Sequence, residues 1–370
     1  MYVTMKLTCT ALVFITALAG QQPAPPAEPS ITWHNLSKLT IEGKGWSSTK
    51  HPYDRLPAQA EGIVRAPVWS LAQDSAGLRY RFVSDSDSIR ARWKLRKNRL
   101  AMSHMAATGV SGLDFYVRDG DKWRWLGVGR PEKPDINEST LVSGLKRERR
   151  EFMLYLPLYN GVDSVEIGVP PDAAFGPAPD RYGSVKPALF YGTSILQGGC
   201  AARPGMAYPS IIGRMLDWPT INLGFSGNGK SEPEMAKLLA GLDPAAYILD
   251  SLPNLDATEA AERVEPFVNA IRKAHPETPV ILIENVTYSN AAFVESRRTK
   301  VSAVNDILRT LYDKMRASGD KNVYYVSTSR LFGKDGEDTV DGAHPTDLGF
   351  LRMAEAIAPV VREALRAGSK

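Results

Sequence analysis

Cysteine is almost absent: in 370 residues only Cys9 and Cys200 carry a thiol. Cys9 falls in a segment expected to be removed, so a mature chain has no internal disulfide, and zinc sites built on several thiolates are excluded. Cys200 reads as a small packing residue, not a nucleophile. Histidine is scarce, with five residues in all, so each is worth placing. Neither sign of charge dominates: 45 Lys and Arg against 41 Asp and Glu leave +4. The one compact basic run, 146–150 (KRERR), reads as a solvated turn or strand end, and nucleic acid is not implied. No apolar run approaches the roughly 20 residues that cross a bilayer core. A composition that is 43% hydrophobic and 23% charged excludes disorder over most of the chain, and collagen-like or coiled-coil structure with it.

What is present divides the chain. Lys6 precedes the apolar run 7–19 (LTCTALVFITALA), which ends in the small-x-small pattern Ala17-Leu18-Ala19. Residues 1–19 therefore read as a signal peptide and 20–32 as a proline-rich linker, with export to the periplasm or the medium expected. Residues 33–172 contain short alternating runs separated by turn signals, including 78–83 (LRYRFV), 88–93 (SIRARW) and a hairpin over 113–128. That pattern predicts a β-sandwich domain. Residues 173–184, rich in Pro, Gly and Ala, read as a connection. From 185 to 370 apolar strands (188–191, 220–223, 246–249, 280–283, 323–326) alternate with helical periods, which predicts an α/β domain: a five-stranded parallel sheet in a three-layer, flavodoxin-like sandwich. Asp256 and Glu259 form a capping-box start for one helix, which Pro266 is expected to kink or restart.

In such a sheet the ligand site lies outside the carboxyl ends of the strands, where the polar clusters of this half fall. They are Gly192-Thr193-Ser194-Ile195, Gly224-Phe225-Ser226-Gly227-Asn228, Asp250-Ser251-Leu252-Pro253-Asn254 and Asp341-Gly342-Ala343-His344-Pro345. A serine hydroxyl becomes nucleophilic when a base takes its proton, and the base needs a third group to fix its tautomer. Ser194, His344 and Asp341 supply these roles. The backbone N–H groups of Ser194 and Gly227 and the side-chain amide of Asn254 are the candidate donors to an oxyanion. Gln197, Arg203, Tyr208, Glu284 and Tyr288 follow strand ends and are candidate substrate contacts.

The four clusters resemble the blocks of the SGNH (GDSL-like) hydrolases, with Ser194, Gly227, Asn254 and His344 at the four named positions and Asp341 as the acid. Thr193 stands where many members have Asp, and the third block reads Asp-x-x-Pro-Asn. Residues 191–209 and Gly112-Leu113-Asp114-Phe115-Tyr116 are similar to a subgroup with an N-terminal β-sandwich carrying a Gly-x-Asp-Leu-Tyr motif, which adds Asp114 to the candidate contacts. The resemblance implies a serine esterase, or an acyltransferase or lipase-type hydrolase on the same site. It implies a small-molecule or polysaccharide ester as substrate, and no metal or other cofactor. Two readings of other classes compete. Residues 224–231 (GFSGNGKS) fit a phosphate-binding loop after a strand, and the sandwich alone could make a non-catalytic polysaccharide binder. An α/β-hydrolase elbow is excluded by Leu196, which stands where that motif needs Gly.

Overall fold

The computed structural model describes residues 1–4 and 30–367. The apolar run of the expected signal peptide and most of the proline-rich linker lie outside the described residues. Among the described residues, no helix is long and apolar enough to cross a membrane.

The first half is built of short strands: β1 (Thr32–Asn35), β2 (Ile41–Glu42), β3 (Arg79–Ser84), β4 (Ser88–Leu95), β5 (Leu113–Asp119), β6 (Lys122–Gly129), β7 (Ile136–Ser143), β8 (Arg150–Tyr155), β9 (Val162–Val169) and β10 (Phe175–Pro177). All pair antiparallel, in two sheets ordered β1-β9-β4-β7 and β10-β3-β8-β5-β6, with β2 also on β3. The period-two pattern does what it should. In β4, Ile89, Ala91, Trp93 and Leu95 turn inward while their neighbours face out. Phe82, Phe115 and Phe152 fill the middle with ring centroids 5.2 to 6.0 Å apart, a spacing suited to offset stacking. Part of the expected connection belongs to this sheet. Phe175 lies against His34 and Phe82, so 175–177 is held as an edge strand.

The second half runs β11 (Ala188–Gly192), then β12 (Thr220–Gly224), β13 (Ala246–Asp250), β14 (Val280–Ile283) and β15 (Val323–Val326), parallel, in the order β12-β11-β13-β14-β15. Alternate residues face opposite layers. Phe190, Ile248 and Ile281 point to the side covered by α4 (Tyr208–Leu216) and α8 (Asp347–Ala367). Leu189, Tyr191, Tyr247 and Leu249 point to the side covered by α5 (Pro233–Ala240), α6 (Ala257–Ala274) and α7 (Glu295–Ala317). The Asp256–Glu259 capping box forms. Pro266, however, does not restart α6 as a second helix: α6 runs continuously through it. Val264, Phe267, Val268 and Ile271 are buried against the sheet on both sides of it, and that burial outweighs one lost backbone bond.

The strand pattern could not show that the two halves share their cores. Leu56, Ala60 and Val64, with Val68 and Ala72 of α1 (Ala66–Ala72), pack into the α/β layer, not the sandwich. Residues 31–370 accordingly cluster as one compact unit. Asp114 on β5 is buried and binds the other half directly: its carboxylate receives Arg203 Nη1 at 2.8 and 3.1 Å and the Gly205 N–H at 2.8 Å, besides Trp125 Nε1 of its own sheet at 3.0 Å. Removing one partner of such a pair strands the other charge, typically for about 3–5 kcal/mol. Asp114→Ala is therefore expected to lower unfolding stability by roughly that amount, measured by urea denaturation of the full chain. A loss below 1 kcal/mol, in order-of-magnitude terms, would show that this contact does not tie the halves together.

Candidate active site

The order of the sheet sets the place. The chain leaves β11 for β12 on one side and returns to β13 on the other, so the carboxyl end of β11 is a topological switch point, where crevices open. Gly192 ends β11 there, and Ser194 opens the short helix α3 (Ser194–Gln197), with the Thr193 hydroxyl accepting the Ile195 N–H at 3.3 Å. The backbone must pass close: a Cβ on Gly229 would stand 1.9 Å from the Gly192 carbonyl oxygen, so only glycine lets the loop after β12 close over the β11 terminus.

From the opposite end of the sequence the loop before α8 brings His344. Ser194 Oγ lies 2.8 Å from His344 Nε2, and His344 Nδ1 lies 2.7 Å from Asp341 Oδ2. The other Asp341 oxygen accepts the backbone N–H of His344 at 2.8 Å and of Ala343 at 3.0 Å. Burial alone would raise this carboxyl; those donated bonds instead hold Asp341 at about 2, so it is ionised wherever the protein is folded at ordinary pH. The turn is braced from outside by the Ser289 N–H on the Gly342 carbonyl, 3.0 Å.

Gly227 sits at φ +67° in the loop after β12, a conformation that favours glycine. Among the described residues no group accepts the N–H of Gly227 or of Ser194, as a donor pair awaiting an anion requires. Asn254 belongs to the same loop system: its amide donates to the Gly229 carbonyl at 3.2 Å and stands 3.5 Å from that of Phe225. The second contact exceeds a normal N–H···O length, so it is the cheaper one to redirect. Asn228 is not available, since it bonds the Ser226 carbonyl and Arg65.

Several expected substrate contacts are corrected by burial. Gln197 is buried, accepting the Ser226 N–H at 2.9 Å and donating to the Leu158 carbonyl at 3.0 Å; it holds the Gly227 loop. Tyr208 is buried and donates to Asp250 at 2.9 Å. Glu284 is buried among Arg309, Tyr325, Ser327 and the Thr328 N–H. Arg203 is committed to Asp114 and Tyr116, so Asp114 and Arg203 form a joint between the halves. Tyr288 alone of the six keeps a hydroxyl with no partner among the described residues; Arg297 lies over its ring at 5.3 Å. The phosphate-loop reading also gives way. That motif needs its Lys-Ser pair to open a helix, whereas here Lys230 pairs with Glu259 at 3.1 Å and α5 begins only at Pro233, after Glu232.

Three supports had no signal in the sequence pattern. Arg55, fully buried, donates to the carbonyls of Asn222 and Gly224 at 3.1 and 2.8 Å, fixing the end of β12. Tyr159 donates its hydroxyl to the Ser194 carbonyl at 3.2 Å. His104, on the loop between β4 and β5, places its ring 5.7 Å from that of His344. Cys200 is also close, half-buried, with its thiol pushed up to about 12 by burial and by Asp341; a thiol held neutral is a poor nucleophile.

Residues 185–362 match the GDSL-like Lipase/Acylhydrolase family, and residues 31–175 match the N-terminus of Esterase_SGNH_hydro-type proteins. A solved structure named as a GDSL-like lipase from Bacteroides ovatus ATCC 8483 is 35% identical, covering 91% of this chain and 98% of that one, with a TM-score of 0.86. The chain belongs to the GDSL-like lipase/acylhydrolase family. The GDSL-like fold with its sandwich recurs in more distant structures. A salicylyl-acyltransferase from a tetracycline biosynthetic pathway aligns at a TM-score of 0.68 and 18% identity, over 92% of this chain and 96% of that one. An acetyl xylan esterase from the rumen bacterium Butyrivibrio proteoclasticus aligns at 0.54 and 11%, over 91% and 99%. A search of curated proteins found no match. This GDSL-like chain is thus an esterase or acylhydrolase in the broad sense.

The acid beneath the site adds a pH dependence. Asp250 ends β13, fully buried; burial pushes it up to about 7, and the Tyr208 hydroxyl pulls only part of the way back. The folded chain then keeps a proton that the unfolded chain has lost between about 3.8 and about 7, so this group makes stability fall as pH rises through that window. Asp250→Asn is expected to remove that fall, raising the melting temperature relative to the unsubstituted protein by several degrees above pH 7, with the difference shrinking through the window and vanishing near its acid end. Parallel melting curves for the two proteins across the window would refute the burial argument.

Proposed function

We propose that the protein is a serine esterase that hydrolyses short acyl esters, with a carbohydrate or other small hydroxylated molecule as the alcohol. The observation that carries this is the continuous chain from Ser194 Oγ to His344 Nε2 and from His344 Nδ1 to Asp341. Ser194 Oγ attacks the ester carbonyl while its proton passes to His344 Nε2. The imidazolium is held by Asp341 and returns the proton to the departing alkoxide. Water, deprotonated by the same imidazole, then releases the acid from the acyl-enzyme. Through both tetrahedral intermediates the negative oxygen is met by the N–H groups of Ser194 and Gly227 and by the Asn254 amide turned from Phe225. Neighbours named as a family two carbohydrate esterase and an acetyl xylan esterase support the choice of alcohol, and residues 1–19 support export.

The first test is hydrolysis of p-nitrophenyl acetate against longer acyl chains, then release of acetate from acetylated xylan, by purified protein. No turnover of any ester would sink the reading. For the third donor, Asn254→Ala is expected to lower kcat by about 10²–10³-fold with KM little moved. A change of only a few fold, with stability lost instead, would leave Asn254 as a brace for its loop.

A further inference from the structure

We propose that His104, Cys200 and His344 form a binding site for Zn²⁺, and that filling it switches the esterase off. The site draws on three separate parts of the chain. His104 stands at the tip of a tight turn closed by paired backbone bonds between Met102 and Met105, 3.0 and 3.1 Å. Cys200 follows the Gly198-Gly199 turn after α3, at φ +76°. His344 comes from the loop before α8. One ligand atom from each lies within 4.8 Å of the others. Tetrahedral zinc with bonds of about 2.0–2.3 Å needs ligand atoms roughly 3.3–3.7 Å apart, so small side-chain rotations close the set.

Two features select this cation. Two imidazoles and one sulfur are borderline-soft donors, the kind that zinc takes, unlike the all-oxygen sets of magnesium or calcium. Asp341 already holds His344 Nδ1 at 2.7 Å, as the carboxylate behind a zinc-binding histidine does, leaving Nε2 to face the metal. Neither His104 nor Cys200 has a hydrogen-bond partner among the described residues, so coordination breaks no bond except the one between Ser194 and His344. The thiol proton leaves to solvent and the fourth position stays open to water. The consequence for activity rests on the esterase reading above: with Nε2 bound to metal, nothing takes the Ser194 proton.

The experiment separates the two claims. Titrating the metal-free full chain with Co²⁺ reads the thiolate-to-cobalt charge-transfer band and the intense visible bands of a tetrahedral ion, with no substrate present. Both are expected for the unsubstituted protein, and neither for Cys200→Ala. His104→Ala, at a half-buried turn position, should weaken cobalt binding by roughly 10–100-fold. Where ester hydrolysis is measurable, Zn²⁺ should inhibit it and EDTA restore it, and each variant, compared with its own metal-free rate, should need at least about 10-fold more zinc. Absence of a thiolate band would overturn the site. Activation by zinc, or inhibition equal in all three proteins, would overturn the switch. A protein that binds cobalt through Cys200 but cleaves no ester would keep the site and remove the esterase reading.

Discussion

Ser194→Ala is expected to abolish ester hydrolysis, on the order of 10⁶-fold in kcat, without disturbing the fold. The substitution removes one oxygen atom whose only hydrogen bond among the described residues runs to His344. The Ser194 carbonyl, which accepts the Gly199 N–H at 2.7 Å and the Tyr159 hydroxyl at 3.2 Å, is untouched. The melting temperature should therefore stay near that of the unsubstituted protein while turnover vanishes. A phosphonate or sulfonyl fluoride should label Ser194 alone, and the alanine variant not at all. Retention of turnover, or labelling at another residue in step with inactivation, would remove Ser194 from the nucleophile's role.

Asp341→Asn should cost roughly 10²–10⁴-fold in kcat, for a reason visible in its bonds. One carboxylate oxygen serves the backbone N–H groups of Ala343 and His344, and the other serves the ring. In asparagine the oxygen must keep the backbone pair, so the amide NH₂ faces Nδ1 and makes it an acceptor. The ring proton then sits on Nε2, pointing at Ser194, and the base is lost. Both bonds that shape the turn survive, so stability should change little. Because its bonds hold Asp341 at about 2, this acid stays charged at ordinary pH and does not itself set the pH dependence of turnover. The measurement is kcat across pH for both proteins together with their melting temperatures. Equal turnover would show that a different group orients His344.

The residues that carry periodicity, and the polar groups that the fold gathers at the candidate site, were legible without a structure. The five strands of the parallel sheet are short apolar runs with polar clusters at one end. Those clusters contain Ser194, Gly227, Asn254, Asp341 and His344, because a strand end is where backbone direction changes and side chains can converge. β4 and the hairpin of β5 and β6 were legible from their alternation, and α6 from its capping box. What escaped was what depends on partners distant in sequence. Nothing local to Gln197, Tyr208 or Glu284 says that its polar atoms are consumed by Ser226, Asp250 or Arg309, so they read as open to substrate when they are scaffold. Arg55 and Leu56 lie in a stretch without strand or helix period, yet one props β12 and the other fills the α/β core. Pro266 reads as a helix breaker until the burial on either side of it is known. In sequence His104 lies within the β-rich half; only the docking of the two halves sets it beside Cys200 and His344. The amino-acid sequence by itself determined the strand and helix periods, the turn residues and the types of group brought to one rim of the sheet. The tertiary structure decided which of those groups meet, because hydrogen bonds and buried charges are satisfied between segments far apart in the chain, and no local pattern encodes that pairing.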